Sequence, residues 1–213
     1  NFVLLKHIFV NALPLGLASF FFMIYTRIDT LMLNNFLGER EVGIYSAATP
    51  FIFALIQLLN VPFISAIYPA LSRLSQMDEE RFTKAIKKSL GIIAMWSIPA
   101  SIGVALLASI IPVIFGAKYQ DSVPVLRLLI FFVPFASLSA LLYKVLIVLK
   151  KQKIYLYISI LGAVINLSLN LFLIPTFSLM GAAFASVLTQ MLLFVIYLLI
   201  VVHQVKKRRF SSI

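Results

Sequence analysis

An arginine and an aspartate two residues apart, Arg27 and Asp29, lie deep inside a long apolar run, Ile8 to Phe36. Taken as one helix rising about 1.5 Å per residue, the run puts Arg27 about 6 Å from its middle, with Asp29 one step further out. A charge at such depth in a bilayer costs roughly 2.5 to 3.5 kcal/mol on insertion scales, so both groups are expected to face protein or a hydrated cavity. On a helix the two point about 200° apart and make a poor pair. Asp29 is the only carboxylate within the apolar runs, and the basic residue nearest its depth is Arg127, so an Asp29–Arg127 ion pair is expected. That leaves Arg27 without an acid. Facing a cavity it attracts anions; otherwise backbone carbonyls cap it as a structural cation.

Neutral polar residues mark the other candidate positions. Gln57 and Asn60 fall mid-run, three residues apart on one helix face, between Pro50, Pro62 and Pro69. Prolines free backbone carbonyls, so this helix is expected to be bent or segmented beside a hydrated surface. Gln57 and Asn60 then either line a cavity or bond between helices. Further on, Gly162, Asn166 and Asn170 form a stripe at four-residue spacing, and Gly181, Ala182, Ala185 and Ser186 make interlocked small-residue rows. Both patterns suit close helix packing. Lys144, near one end of its run, is expected to snorkel to headgroups.

The elements that carry these residues are apolar almost throughout. Hydrophobic residues make up 62% of the 213 and the mean hydropathy is +1.06, which excludes a water-soluble domain. A spanning helix takes about 20 apolar residues, and six such spans are predicted, at 8–36, 43–71, 90–115, 123–149, 154–174 and 181–202. The chain is thus expected to be an all-α polytopic membrane protein, one lobe over 1–213. Residues 75–89, with Ser75 and Asp78 as possible caps and Phe82, Ile86 and Leu90 facing away from Arg81, Lys84 and Lys88, are expected to form an interfacial amphipathic helix on the cytoplasmic surface.

Lys and Arg number 18 against 7 acids, a net charge of +11. The basic residues gather on alternate connections: Lys6; Arg73, Arg81, Lys84, Lys87 and Lys88; Lys150, Lys151 and Lys153; Lys206 to Arg209. By the positive-inside rule these connections and both termini face the cytoplasm. The charge is therefore read as topological, with membrane lipids rather than nucleic acid as its partner.

Several chemistries have no residues to carry them. Cysteine is absent and the two histidines, His7 and His203, stand at the polar edges of the first and last spans, so no metal site, cofactor or catalytic group is expected. No phosphate-binding glycine loop, H-E-x-x-H or G-x-S-x-G occurs. The glycosylation triplet at Asn166 lies within an apolar run. The first run lacks a signal-peptide cleavage site and reads as a span. The chain opens on Asn1 rather than Met, and is read as an excerpt or a truncated product.

Ordered motifs run along nearly the whole chain. RID at Arg27 to Asp29 ends a proline-bearing span; GIYSAA follows at Gly43 to Ala48 and YPALSRL at Tyr68 to Leu74. Then come FGAKYQDSVPVLRLL at Phe115 to Leu129, INLSLNLFLIP at Ile165 to Pro175 and MGAAFASV at Met180 to Val187. In this order they resemble the C-terminal half of bacterial polysaccharide flippases, the O-antigen and oligosaccharide translocases of the multidrug/oligosaccharidyl-lipid/polysaccharide exporter superfamily. The resemblance implies a lobe of six helices that pairs with an N-terminal half, or with a second copy, around a central cavity. It also implies flipping of an undecaprenyl-diphosphate-linked oligosaccharide from the cytoplasmic to the periplasmic leaflet of the bacterial inner membrane. Arg27, with Gln57 and Asn60, is the candidate cavity set for that cargo.

Three other readings compete. A multidrug or cation antiporter of the same superfamily needs membrane-embedded acids, of which there is one. A non-transporting membrane subunit needs no cavity joining Arg27 to solvent. A membrane enzyme needs a large external catalytic loop, and every predicted external connection is short.

Overall fold

The computed structural model describes the backbone of residues 2–211 and the side chains of residue 13 and of residues 15–208; the side chains of Lys6, His7 and Arg209 fall outside that range. Seven α-helices follow one another: α1 (Phe2–Leu37), α2 (Glu39–Met77), α3 (Glu79–Leu106), α4 (Ile111–Phe115), α5 (Ser122–Leu129), α6 (Phe132–Val148) and α7 (Gln152–Ser211). Short 3-10 segments at Leu107–Ile110 and Ala117–Tyr119 flank α4. Among the described residues there is no strand. Among the described residues five stretches are long and apolar enough to cross a membrane: 15–37, 39–77, 79–115, 122–148 and 152–208.

Tight turns set the helix boundaries. Gly38 stands between α1 and α2 at φ 92°, a left-handed backbone that costs a side-chain-bearing residue strain and glycine little. Asp78 ends α2 and caps α3, its carboxylate accepting from the Arg81 backbone N–H at 2.8 Å. One residue therefore separates the two helices. Residues 79–89 are the opening turns of α3 and continuous with its apolar part. Their amphipathic pattern still sorts the side chains: Phe82 and Ile86 are buried while Arg81, Lys84 and Lys88 are exposed. Ser75 does not cap; its hydroxyl donates back to the Ser72 carbonyl. The three prolines of α2 leave it as one helix of 39 residues, unsegmented.

At about 1.5 Å per residue the last apolar stretch, 57 residues, would reach about 85 Å if straight, nearly three times a bilayer core. It is not straight. Ser178 has φ 51° and ψ −132°, outside any helix, and the two arms, 152–177 and 179–211, fold back on each other. The contacts require this. A Cβ at Gly181 would overlap the Leu173 carbonyl and come within 3.0 Å of the Ile174 nitrogen, and one at Gly162 would lie 2.7 Å from Leu193 Cδ1. In a continuous helix Gly162 and Leu193 would stand about 46 Å apart.

The α5–α6 stretch is central, with 61% of its apolar window buried against 11–39% for the other four. Two apolar clusters form around it. One joins Tyr25, Ile44, Val125, Leu129 and Ile174 at the end that holds the Gly38 and Ser178 turns. The other joins Leu71, Phe82, Leu141, Leu146 and Tyr197 at the basic end.

Candidate functional site

Asp29 is 5% exposed, and its carboxyl group is held by neutral donors from three directions. The Tyr45 hydroxyl of α2 donates at 2.8 Å, the Asn170 amide of the first α7 arm donates at 2.7 Å, and the Ser186 hydroxyl of the second arm also donates to it. Asn170 donates further to Asn166 Oδ1 at 3.0 Å. One turn before Asp29, the Tyr25 hydroxyl lies 3.4 Å from both Gln190 Oε1 and the Ser186 carbonyl, and Gln190 in turn donates to Ser139 Oγ of α6 at 3.1 Å. A buried polar network thus ties α1, α2, α6 and both arms of α7. In a bilayer each such bond contributes about 0.6 kcal/mol on average, and the full set fixes which faces meet.

This overturns the expected Asp29–Arg127 ion pair. Arg127 is exposed on α5 and its guanidinium donates to Ser109 Oγ at 3.3 Å; among the described residues its guanidinium makes no salt bridge with Asp29. The expectation failed because it sought a cation for a buried acid, whereas three neutral donors meet the same need. Tyr45 and Ser186 lie within the GIYSAA and MGAAFASV motifs, where intramembrane hydroxyls were the available signal. Asn170, read as a packing residue, binds the carboxyl group directly.

Beside this network lies a cavity of about 760 Å³ bounded by α1, α2, α6 and both arms of α7. Phe132 and Lys144 line it at positions about 18 Å apart along α6. Gln57 and Asn60 are both on its wall, and Asn60 Oδ1 is buried without a protein partner. Tyr25, Tyr68, Tyr143, Tyr155 and Tyr197 add aromatic surface, with Tyr143 and Tyr155 stacked at 4.9 Å. Lys144 lines it too, its ammonium 5.7 Å and 5.1 Å from the ring centroids of Tyr68 and Tyr143. Both rings lie within cation–π range of the ammonium. Among the described residues no carboxylate belongs to this lining.

Arg27 lines a smaller cavity of about 150 Å³, with Asp29, Thr26, Thr30 and Thr49 among its neighbours. Tyr25, Phe53 and Phe132 belong to both cavities, so the small one adjoins the large one. Arg27 is exposed, and among the described residues no carboxylate forms a salt bridge with it. The candidate set is therefore divided: Gln57 and Asn60 share the large cavity, Arg27 occupies its neighbour, and Lys144 joins the former. Ala185 is wholly buried and, with Gly162 and Gly181, lies at the contact between the α7 arms.

These features define an all-α polytopic membrane protein with a largely apolar cavity that Lys144 borders. The sequence profile of the family described as "Polysaccharide biosynthesis protein" matches residues 1–124, and the chain belongs to that family. Among curated relatives, a probable low-salt glycan biosynthesis flippase of Haloferax volcanii is 26% identical over 167 residues, 78% of this chain and 35% of the relative. A capsular polysaccharide biosynthesis protein of Staphylococcus aureus is 28% identical over 204 residues, 92% of this chain and 50% of the relative. The chain spans between about a third and a half of the length of these two. In fold it is similar to an outward-facing multidrug resistance MATE family transporter of the MOP superfamily, with a TM-score of 0.72 at 19% identity over 87% of this chain and 42% of that one.

Proposed function

We propose that this chain forms one six-crossing lobe of a two-lobed exporter that flips a lipid-linked oligosaccharide across the plasma membrane, its diphosphate joined to undecaprenol. The observation that carries the reading is the large cavity, whose lining holds Lys144 and no carboxylate. A diphosphate entering a low-dielectric layer loses hydration, and cations, amides and hydroxyls restore part of it. Lys144 supplies the charge at one end of the cavity, and Arg27 supplies another in the adjoining pocket. Gln57 and Asn60 offer amide contacts between them, and the tyrosines offer faces for sugar rings. The prenyl tail stays in lipid, which needs no protein site.

The relatives named as a flippase and as a capsular polysaccharide biosynthesis protein support this cargo. A cation antiporter is disfavoured by the same lining, since a cationic drug needs an acid and Asp29 is enclosed by three donors. The role is transport rather than catalysis. With the basic connections on the cytoplasmic side, both termini are cytoplasmic and the cargo moves outward. The other lobe comes from a preceding half or from a second copy.

The test is restoration of surface glycan in a flippase-deficient strain by the full-length protein. Restoration is expected for the wild type and loss of most of it for Arg27→Gln at equal membrane abundance. A wild type that inserts normally and restores nothing contradicts the assignment; an unaffected Arg27→Gln removes only that residue's role.

A further inference from the structure

A second, polar cavity of about 820 Å³ opens at the basic end, where the α2–α3 junction, the α6–α7 turn and the end of α7 meet. Lys150, Lys151, Lys207 and Arg208 line it, along with the amides of Gln76 and Gln204. Among the described residues its one acid is Glu79, whose Oε1 lies 3.6 Å from the Arg208 guanidinium. Four cations against one carboxylate leave it strongly positive. It lies about 9 Å along α6 from Lys144, the distance from residue 144 to 150.

The turn that carries two of these lysines is built at some expense. The Lys150 N–H bonds to the Ile147 carbonyl at 2.9 Å and the Lys151 N–H to the Leu146 carbonyl at 2.8 Å, the double bond pattern that ends a helix with a left-handed residue. Lys150 is that residue, with φ 58°. Glycine or asparagine usually fills the position because a Cβ is strained there. A lysine held in this conformation projects its ammonium from a fixed backbone, and such strain persists where a function uses it. The dipole at the end of α6 favours a cation nearby but does not require one at the strained position itself.

We propose that this pocket binds the phosphate of a membrane lipid headgroup. Basic pockets between spanning helices hold anionic headgroups in just this way, as built sites distinct from the diffuse attraction of a basic surface. Two lipids share the chemistry: an anionic phospholipid and a polyprenyl diphosphate. The site is separate from the transport cavity, and its occupation does not depend on the transport reading.

The test measures binding of short-chain phosphatidylglycerol, and separately of short-chain polyprenyl diphosphate, to purified full-length protein in neutral detergent at fixed salt. The pocket variant is Lys150→Gly with Lys151→Gln, in which glycine relieves the turn while both charges go, so folding is preserved. The control is Lys88→Gln with Lys153→Gln, which removes equal charge from exposed positions outside the pocket. At roughly fivefold per charge, the pocket variant is expected to bind at least one lipid about 10- to 30-fold more weakly, and the control within about twofold of wild type. Whichever lipid shows that difference is the ligand. Equal weakening by both variants, or none by either with both lipids, overturns the site.

Discussion

Asp29 tolerates burial in an apolar bundle because Tyr45, Asn170 and Ser186 converge on its carboxyl group. Deleting the acceptor leaves three buried donors unmet. Asp29→Ala is therefore expected to destabilise the fold by about 2 to 4 kcal/mol, and Arg127→Ala, which removes one exposed contact with Ser109, by less than about 0.5 kcal/mol. Thermal unfolding of the two variants in detergent separates these outcomes. Comparable losses would restore the ion-pair account that the geometry replaces. The sequence exposed Asp29 as exceptional, since one acid in six apolar runs has to be satisfied somewhere. It did not identify the partners, because hydroxyls and amides are common in such runs and a contact across 141 or 157 residues leaves no local pattern. Lys144 shows the same limit: only the fold brings Tyr68 beside it.

At the scale of elements, the bundle depends on the reversal at Ser178 and on the close approach of the two α7 arms that follows. Gly181 faces backbone, which cannot move aside, and Gly162 faces a leucine side chain that can change rotamer. Gly181→Ala is expected to cost about 2 to 3 kcal/mol and Gly162→Ala less than about 1 kcal/mol. Melting temperatures of the two variants check the ranking, and equal values would mean the arms are not so closely joined. Apolar helices were legible from length because only helices satisfy their own backbone in lipid. Their ends were less so. Asp78 caps α3 directly after α2, so the amphipathic pattern over 75–89 runs across the end of one helix and the opening turns of the next. The prolines of α2 do not divide it: Pro50, Pro62 and Pro69 all lie inside one unbroken helix.

For the whole molecule, three cavities carry cations: the basic pocket with Lys150 and Lys151, the large cavity with Lys144, and the pocket with Arg27 that adjoins the large one through Tyr25, Phe53 and Phe132. A cavity without carboxylates and with charge near both ends suits a phosphate-bearing cargo and repels a cationic one. Arg27 was visible from sequence because its depth made it costly; the cavity was not, because its walls come from two helix pairs far apart in the chain, α1 with α2 and α6 with α7. The most direct measurement is translocation of a fluorescent polyprenyl-diphosphate oligosaccharide by full-length protein in liposomes, comparing wild type with Lys144→Gln at matched insertion. The account predicts at least about a tenfold slower rate for Lys144→Gln, the equivalent of about 1.4 kcal/mol in the barrier, and an unchanged rate for Lys88→Gln. A Lys144→Gln protein that moves the lipid at the wild-type rate would contradict it.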